Sequence, residues 1–271
     1  MKVIKNNNIQ DPKVSWLICC NQQNPFLFNA IDSCLSQTFA EFEIIFICNG
    51  ILRDEIASCL MAKYLYEERL TIVVSDLSFL THSLNLGLDF CRAEFVARMD
   101  ADDLCFPDRL ERQVKYMHDN PNVAVLGSSY KIIDEEGVVG NIVKLPSTNL
   151  KIRERLFWTN PICHPSVMYK RDLIHKAGGY MGGVQAEDYD LWLRLHDDDS
   201  IVFAAIEEPL VLYRSNNINN SRKSARVYAS VSSAQFRKFV ESLKFKWLFA
   251  ACYTMVKRVV GDSCISDYIV R

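Results

Sequence analysis

The chain has 271 residues, of which 49% are hydrophobic and 24% are charged, and its formal net charge is −2 at pH 7. This length and composition fit one large globular domain, or a domain with a tail, and the balanced charge argues against a nucleic-acid-binding protein. The ten cysteines form no C-x-x-C pair and no His cluster accompanies them, which indicates buried thiols in a reducing cytosol and argues against a zinc site.

No targeting or membrane-spanning segment is predicted. The N-terminal stretch MKVIKNNNIQDPK has no apolar core, so it predicts neither a signal peptide nor a membrane anchor. The longest late apolar run, WLFAACYTMV, is about half as long as a spanning helix. We therefore expect a cytoplasmic protein.

The first half of the chain alternates short apolar runs with helix-like stretches. The apolar runs predict strands that are buried on both faces: VSWLICC (14–20), FEIIFIC (42–48), LTIVVS (70–75) and EFVARM (94–99). Asn24 is expected to cap a helix that Pro25 starts, and residues 53–68 and 81–91 predict two more helices. This alternation predicts an α/β fold with a mostly parallel sheet, which binds ligands at the carboxyl ends of its strands.

The second half has a different pattern, with strands that need not be parallel. It predicts, in chain order, a helix opened by Pro107, a strand at 123–133 followed by an acidic DEEG turn, a helix at 149–157, a strand at SVMYK, a helix at 186–195, and two short strands at IVFAAI and LVLYR.

After Arg214 the polar segment SNNINNSRKSAR predicts a linker, and residues 227–260 predict a helix with basic and aromatic residues. Such a helix can lie in the headgroup region of an acidic membrane, or it can pack back on the domain or on a second subunit. The predicted division is a domain at 1–216, with a first half at about 13–105 and a second half at about 106–216. Residues 217–271 would form the linker and a basic amphipathic tail.

Three aspartates, Asp100, Asp102 and Asp103, follow the predicted strand EFVARM directly. Clustered carboxylates repel one another unless a cation lies among them or water solvates them. Their oxygens suit Mg²⁺ or Mn²⁺, and a D-x-D behind a strand is a plausible site for a metal-bound diphosphate. The alternative is a solvated loop that carries Asp near a helix N-terminus.

A second acidic group, Glu187, Asp188 and Asp190, follows the glycine-rich stretch GGYMGGVQ. Glycines there allow the backbone to approach a ligand or a loop to close over it, whereas the simpler interpretation is an acidic helix start.

Three further residues are candidates for the site. His164 lies between two prolines, which hold its backbone extended, and is either a buried hydrogen-bonded residue or a site residue. Arg98 and Arg214 are each expected to pair with a phosphate or with the aspartates.

Taken in order, these motifs resemble those of a family 2 glycosyltransferase with the GT-A fold, over about residues 13–216. The resemblance rests on VSWLICCN, SCLSQTFAEFEIIFICNG, HSLNLGL, ARMDADDLCFPDRLERQ, NPICHPSVMYKR, AGGY, AEDYDLWLRL and EPLVLYR. The chain looks most similar to bacterial enzymes that extend O-antigen or capsule repeat units on a lipid diphosphate. The resemblance implies a nucleotide-sugar half at about 13–105 and an acceptor half at about 106–216.

The resemblance implies roles for the acidic residues. Asp100 would contact the nucleoside, and Asp102 would bind the Mn²⁺ or Mg²⁺ ion that bridges the diphosphate of the sugar donor. Asp103 would support this site. Asp188 matches the catalytic base, and Glu187 would lie beside it against the acceptor or the donor sugar.

It also implies contacts for other residues. Arg98 and Asn85, the latter in HSLNLGL, would lie on the sugar-donor side, and we expect His164 and Arg214 near the acceptor or a phosphate.

The sequence departs from this family at two places. Cys48–Asn49 stands where relatives usually carry an Asp pair, so Asn49 or Asn21 is expected to contact the uracil instead. Asn216 stands where relatives often have a His, so metal binding is expected to differ if that His is a ligand in them.

The implied reaction is an inverting transfer of a hexose from a UDP-sugar, UDP-Glc or UDP-Gal, to a saccharide on undecaprenyl diphosphate, with formation of a β-glycoside. The basic tail would bind the inner leaflet of the cell membrane, and no nucleic acid would be a partner. The alternative is a non-catalytic sugar- or nucleotide-binding scaffold of a polysaccharide assembly complex.

Overall fold

The computed structural model describes residues 1–182, 185–215 and 224–260. Two features of the sequence, Asn216 and most of the predicted linker, lie outside the described residues, as do Gly183 and Val184 of the glycine-rich stretch. In this part of the chain the strands are β1 Lys2–Lys5, β2 Val14–Cys20, β3 Phe42–Asn49, β4 Leu70–Ser75, β5 Phe95–Asp100, β6 Leu104–Cys105, β7 Val123–Ile133, β8 Val139–Val143, β9 Met168–Lys170 and β10 Val202–Arg214. The helices are α1 Leu27–Leu35, α2 Arg53–Tyr64, α3 Leu80–Phe90, α4 Arg109–Asp119, α5 Asn149–Leu156, α6 Arg171–Lys176, α7 Glu187–Leu195, α8 Ala225–Ser242 and α9 Phe245–Val260, and a 3₁₀ turn covers His164–Ser166.

All the described strands join one sheet, in the order β1-β4-β3-β2-β5-β9-β7-β10-β6, with β8 paired to β7. The four strands predicted from the apolar runs, β2 to β5, are parallel neighbours, as expected. Beyond β5 the sheet is mixed, because β9 runs antiparallel to both β5 and β7 while β10 runs parallel to β7. The expected α/β architecture with flanking helices is therefore present.

The central strands are apolar on both faces because helices cover both. On one face Trp16 and Ile18 belong to a buried cluster with Ile31 of α1 and Leu110 of α4. On the other face Leu17 packs in a second cluster with residues of α3, α7 and α9. Helix α3 lies so close to β2 that a Cβ atom at Gly87 would be 2.2 Å from Leu17 Cδ1. Every residue of β3 is buried, which explains its continuous apolar pattern.

Two local expectations need correction. The runs IVFAAI and LVLYR are not two strands but one, β10, whose register against β7 shifts between Ile206 and Pro209 and again before Val211. Pro209 has no N–H to donate to the ladder, so the hydrogen-bond pattern is interrupted there although β10 continues alongside β7. Helix α1 begins at Leu27, not Pro25, and the Asn24 side chain accepts a hydrogen bond from the Phe26 N–H at 2.9 Å.

The C-terminal region is a helical hairpin, not the single helix expected over 227–260. Leu243 adopts a left-handed conformation (φ 54°), which ends α8 and reverses the chain before α9. The Ser224 side chain caps α8 by accepting from the Val227 N–H. The hairpin packs back on the domain, with Trp247 stacked on Phe157 at a ring distance of 4.2 Å. In the described parts of the chain, no helix combines the length and apolar character needed to cross a bilayer.

Candidate active site

The three aspartates lie at the carboxyl end of β5, in the middle of the sheet. Asp100 is the last residue of that strand and pairs in register with Cys19 of β2. One carboxylate oxygen from each of Asp100, Asp102 and Asp103 lies within 4.8 Å of the others. The sequence prediction that these residues share a site at a strand end agrees with this geometry.

Asp103 is held inside the protein by the end of β10. The short strand β6 pairs with β10, and this brings the Arg214 N–H within 2.7 Å of Asp103 Oδ1, to which it donates. Asp103 is 1% exposed, and its Oδ2 atom is buried with no hydrogen-bond partner among the described residues. Burial, and then the charge of Asp100, raise the pKa of the Asp103 carboxyl well above its usual range. A solvated loop tip does not describe this residue.

Burial also raises the pKa of Asp102, and the nearby charge of Asp100 adds to the effect. Carboxylates that destabilise one another in this way are relieved when a divalent cation binds among them. The oxygen-only donor set, together with the unpartnered Oδ2 of Asp103, fits Mg²⁺ or Mn²⁺.

Arg214 has a structural role at this end of the sheet. Its guanidinium donates to the carbonyl oxygen of Asp102 at 2.8 Å and to that of Asp134, and it lies 3.6 Å from the ring centre of Phe26. These contacts fix the loop that carries the aspartates. None of these contacts tests the predicted phosphate or acceptor contact of Arg214, which stays a prediction.

The second acidic group begins α7. Ala186, directly before it, has a left-handed backbone (φ 65°), which turns the chain sharply into the helix. Asp188 accepts hydrogen bonds at both carboxylate oxygens, from Asn160 Nδ2 to Oδ2 at 2.7 Å and from the Tyr189 N–H to Oδ1 at 2.8 Å. Burial raises the pKa of Asp188, and these bonds oppose the rise. Asp188 is therefore held in a fixed orientation.

Glu187 is buried beside Asp188. Burial, and then the charge of Asp188, raise the pKa of Glu187 to about 7, while Arg98 opposes the rise. Its side chain can therefore hold or release a proton near neutral pH.

The charge of Arg98 acts on both acidic groups. The side chain is 3% exposed and forms an ion pair with Asp100. Burial alone would lower the pKa of this guanidinium, but Asp100 raises it, so the group stays charged. The charge of Arg98 also lowers the pKa values of Glu187 and Asp188, so it acts on both acidic groups. Of the two partners expected for Arg98, the aspartates are thus present.

His164 is buried and hydrogen-bonded. Its Nε2 lies 3.1 Å from the Tyr180 hydroxyl, which donates to the Tyr169 hydroxyl at 3.3 Å. Burial, reinforced by Arg98, lowers the pKa of the imidazole well below its usual value, so the ring is neutral. The simpler interpretation of His164 agrees with these contacts, and its place behind Arg98 brings it to the edge of the site.

Asn85 fastens α3 to the loop before α7. Its amide donates to the Tyr180 carbonyl at 2.8 Å and accepts from the Tyr180 N–H at 2.7 Å. A Cβ atom at Gly179 (φ 72°) would lie 2.4 Å from Asn85 Oδ1, so this contact requires glycine. The sugar-donor contact expected for Asn85 stays a prediction.

Asn21 directly follows strand β2, and Asn49 is the last residue of the neighbouring strand β3. Asn21 is exposed beside Gly50, and Asn49 is 2% exposed and donates to the Leu77 carbonyl at 3.3 Å. Cys48 is buried, and burial raises the pKa of its thiol. Asn21 thus offers an accessible amide at this edge of the sheet, while the amide of Asn49 is enclosed by the next loop.

The sequence pattern did not identify Asn160 or Tyr180 as site residues. In the sequence, Asn160 is distinguished only by the Pro161 that follows it, and Tyr180 only by the glycines that precede it. Both act through residues that are distant in the chain, so spacing alone carries no signal for them.

The comparisons with known proteins agree with the fold and with the family that the motifs resemble. The model of the family described as "Glycosyl transferase family 2" matches residues 15–178. A similar curated protein is the O-antigen biosynthesis glycosyltransferase WbnJ of Escherichia coli, which is 34% identical over 248 residues, or 91% of this chain and 96% of the relative. The chain therefore belongs to glycosyl transferase family 2 and is a glycosyltransferase, as the sequence motifs indicated.

Two further relatives show the range of this similarity. The amylovoran biosynthesis glycosyltransferase AmsE of Erwinia amylovora is 32% identical over 177 residues, or 65% of this chain and 66% of the relative. A UDP-Gal:alpha-D-GlcNAc-diphosphoundecaprenol beta-1,3-galactosyltransferase of E. coli is 32% identical over 172 residues, or 62% of each chain.

Solved structures confirm the GT-A fold. The S. aureus TarS 1–349 structure in complex with UDP-GlcNAc has a TM-score of 0.68 at 15% identity and covers 96% of this chain and 76% of that chain. The mannosyltransferase PcManGT of Pyrobaculum calidifontis, in complex with GDP-Man and Mn²⁺, has a TM-score of 0.62 at 18% identity and covers 94% and 73%.

Proposed function

We propose that this glycosyltransferase moves a hexose from a UDP-sugar, UDP-Glc or UDP-Gal, to a saccharide on undecaprenyl diphosphate during synthesis of O-antigen or another surface polysaccharide. The observation that carries the proposal is the buried Asp188, which Asn160 and the Tyr189 N–H hold in one orientation, together with the clustered carboxylates of Asp100, Asp102 and Asp103. One E. coli relative is named for this class of sugar donor and lipid-linked acceptor. WbnJ is named for O-antigen biosynthesis.

Asp188 is the proposed general base. It takes the proton of the acceptor hydroxyl as that oxygen attacks the anomeric carbon of the sugar donor, and Asn160 and the Tyr189 N–H hold the carboxylate in one orientation. The nucleoside diphosphate leaves from the opposite face. A single displacement of this kind inverts the anomeric centre, so an α-linked sugar donor gives a β-glycoside. Glu187 lies beside the base and contacts the acceptor or the donor sugar.

The aspartates are proposed to bind the other end of the sugar donor. Asp102 is the metal ligand, Asp103 supports the site from its buried position, and Asp100 contacts the ribose. A bound Mn²⁺ or Mg²⁺ ion supplies positive charge that stabilises the departing diphosphate. Asn21 is the accessible amide for the uracil, with Asn49 behind it.

We also propose that the enzyme works at the inner face of the cell membrane, where a lipid-linked acceptor would be reached. The turn between α8 and α9 supports this location, because Leu243 and Phe245 are 73% and 75% exposed and Lys244 and Lys246 flank them. Phe249 is also exposed, one turn further along α9. Apolar side chains next to lysines suit the headgroup region of an anionic bilayer.

The reaction is tested in two steps with the full chain. Calorimetry with UDP-, GDP-, dTDP- and CMP-sugars, with and without Mn²⁺, is expected to show metal-dependent binding of UDP-sugars. Mass spectrometry should then detect hexose transfer from UDP-Gal or UDP-Glc to α-GlcNAc-diphosphoundecaprenol, and NMR of the product should show a β-linkage. Metal-independent binding without transfer would favour the alternative, a non-catalytic sugar- or nucleotide-binding scaffold.

Membrane binding is tested with the tip of the hairpin, since deletion of residues 227–271 would also uncover the domain surface below Trp247. The double variant Leu243→Ser, Phe245→Ser should lose sedimentation with vesicles that contain anionic lipid. Tyr66→Ser, which removes an apolar side chain that is 91% exposed in the α2–β4 loop, is the matched control. Equal sedimentation of both variants would contradict the proposed membrane contact.

A further inference from the structure

We propose that the C-terminal hairpin is part of the catalytic unit, and that Gln235 of α8 is a positioning residue for Asp188. This inference rests on the proposed role of Asp188 as the base. It assigns to the hairpin a second task, which is separate from any contact with a membrane.

Gln235 has hydrogen bonds from both ends of its amide group. The side chain is fully buried, and its Nε2 donates to the Tyr189 hydroxyl at 3.0 Å and to the Phe157 carbonyl at 2.9 Å. Its Oε1 accepts from the Thr254 hydroxyl of α9 at 2.7 Å. The two helices of the hairpin and two separate parts of the domain therefore meet at one side chain.

Both domain partners of Gln235 lead directly to Asp188. Tyr189 is the next residue along α7, and its backbone N–H donates to Asp188 Oδ1. Phe157 starts the segment that ends at Asn160, whose amide donates to Asp188 Oδ2. Each oxygen of the Asp188 carboxylate therefore accepts a hydrogen bond from a segment that Gln235 also contacts. One is Tyr189 itself, and the other is the segment 157–160.

The segment that carries Asn160 is packed against the hairpin as well as hydrogen-bonded to it. Trp247 stacks on the Phe157 ring, and the Lys246 ammonium lies 3.9 Å from the centre of that ring. On the side of α5, the Tyr189 hydroxyl donates to the Leu156 carbonyl at 2.5 Å. These contacts tie the two supports of Asp188 to each other.

A further set of ion pairs fixes α7 to α8. Asp190 is buried and pairs with Arg194 of its own helix and with Arg237 of α8. Lys238, also buried, pairs with Asp197 just beyond α7. The catalytic helix is therefore held by the hairpin along most of its length.

This arrangement predicts an effect on turnover beyond stability. A displacement of about 1 Å at a catalytic group can cost up to about 100-fold in rate, even when the altered residue lies far from the reacting atoms. The aspartate cluster and Asn21 make no contact with Gln235 in the described structure, so binding of the sugar donor should be preserved.

The test compares three full-length variants with the wild type, using UDP-Gal or UDP-Glc and α-GlcNAc-diphosphoundecaprenol. Gln235→Met keeps the volume and removes the hydrogen bonds. Tyr189→Phe removes the hydroxyl that Gln235 contacts, together with the bond of that hydroxyl to the Leu156 carbonyl. Ser232→Ala is the matched control, because the buried Ser232 hydroxyl donates only within the hairpin, to the Ala251 carbonyl at 3.1 Å. Thermal unfolding of each variant defines a temperature at which all are folded.

We expect Gln235→Met to lower kcat by about 10- to 100-fold, with the KM for the sugar donor within about twofold, and Tyr189→Phe to give a smaller loss of the same kind. Ser232→Ala should keep the wild-type kcat. Because the Asn160 and Tyr189 N–H bonds lower the pKa of Asp188, loosening them should also move the acidic limb of the kcat profile to higher pH. Glu187 and Arg98 face the same carboxylate and are unchanged in all variants.

The outcomes separate the two proposals. Wild-type protein that transfers no hexose contradicts the proposed function itself. Wild-type transfer with an unchanged kcat in folded Gln235→Met and Tyr189→Phe overturns the positioning role alone, as does an equal loss in Ser232→Ala. If Gln235→Met does not fold, Tyr189→Phe and Ser232→Ala still decide the question.

Discussion

The aspartate cluster behind β5 and the acidic start of α7 face the same buried arginine, but different groups surround their carboxylates. In the cluster, Asp103 Oδ2 is buried with no hydrogen-bond partner among the described residues, and the charge of Asp100 raises the pKa values of Asp102 and Asp103. In α7, both oxygens of Asp188 accept hydrogen bonds from neutral groups. Arg98 forms an ion pair with Asp100, but the cluster still contains that unpartnered oxygen, whereas both oxygens of Asp188 are satisfied.

This difference indicates how one residue type can serve two chemistries within a single site. Carboxylates that repel one another and leave a buried oxygen without a hydrogen-bond partner are suited to bind a cation. A carboxylate that is buried and oriented, and whose pKa is raised, is suited to accept a proton. The charge of Arg98 acts on both groups, through an ion pair with Asp100 and by lowering the pKa values of Glu187 and Asp188.

The largest effect is expected for Asp188→Asn, which should reduce kcat by about 10²- to 10⁴-fold because the base is lost. Binding of the UDP-sugar, measured by calorimetry, should change little. Asp89→Asn, on the exposed side of α3, is the control and should keep full activity. If Asp188→Asn lost sugar-donor binding and activity together, the two acidic groups would not have separate tasks.

A smaller effect, confined to the other group, is expected for Asp102→Asn. Loss of a residue that hydrogen-bonds a metal ligand typically lowers metal affinity by roughly 10- to 100-fold. Because Asp102 is the proposed ligand itself, the affinity for Mn²⁺ in the presence of UDP should fall by more than this. Titration of Mn²⁺ followed by calorimetry measures this directly. Asp108→Asn, six residues along the chain in an exposed ion pair with Arg112, should bind like the wild type. Equal affinities in both variants would contradict the assigned metal site.

The smallest effect is a pH-dependent change in stability for Glu187→Gln without added metal. The pKa of Glu187 is raised to about 7 in the folded protein, so the folded state holds its proton longer than the unfolded state does. The wild type therefore loses stability as the pH rises from about 4.5 through 7, and the Gln variant does not. We expect the variant's Tm to gain on the wild type by roughly 2–4 °C across this range, for an effect on the order of 1 kcal/mol. A constant Tm difference between pH 5 and pH 8 would argue against the raised pKa.

Much of the first half could be predicted from sequence because its strands are buried on both faces. VSWLICC and FEIIFIC are apolar apart from Ser15 and Glu43, whose side chains form a hydrogen bond of 2.7 Å with each other. Both runs therefore predict strands in the interior of a sheet. The position of the aspartates followed from the same pattern, since ligands bind at the carboxyl ends of parallel strands.

The hairpin and the link between the acidic groups could not be predicted in the same way. The turn between α8 and α9 is made by Leu243, which carries no glycine or proline signal for a left-handed conformation. Arg98 and Asp188 are distant in sequence, and the contacts of Gln235 depend on how three separate segments pack. Periodicity reports which side of an element is buried, but it does not report which buried polar groups meet.

The stacking of Trp247 on Phe157 has a consequence for exchanging parts among related enzymes. A C-terminal segment taken from a relative would lack the complementary surface formed by residues 156–160 and Tyr189 of this chain. Such a chimera would be expected to bind sugar donor and yet turn over slowly. Grafts that carry both sides of this contact should retain activity, so the natural module for recombination is the hairpin together with the segment beneath it.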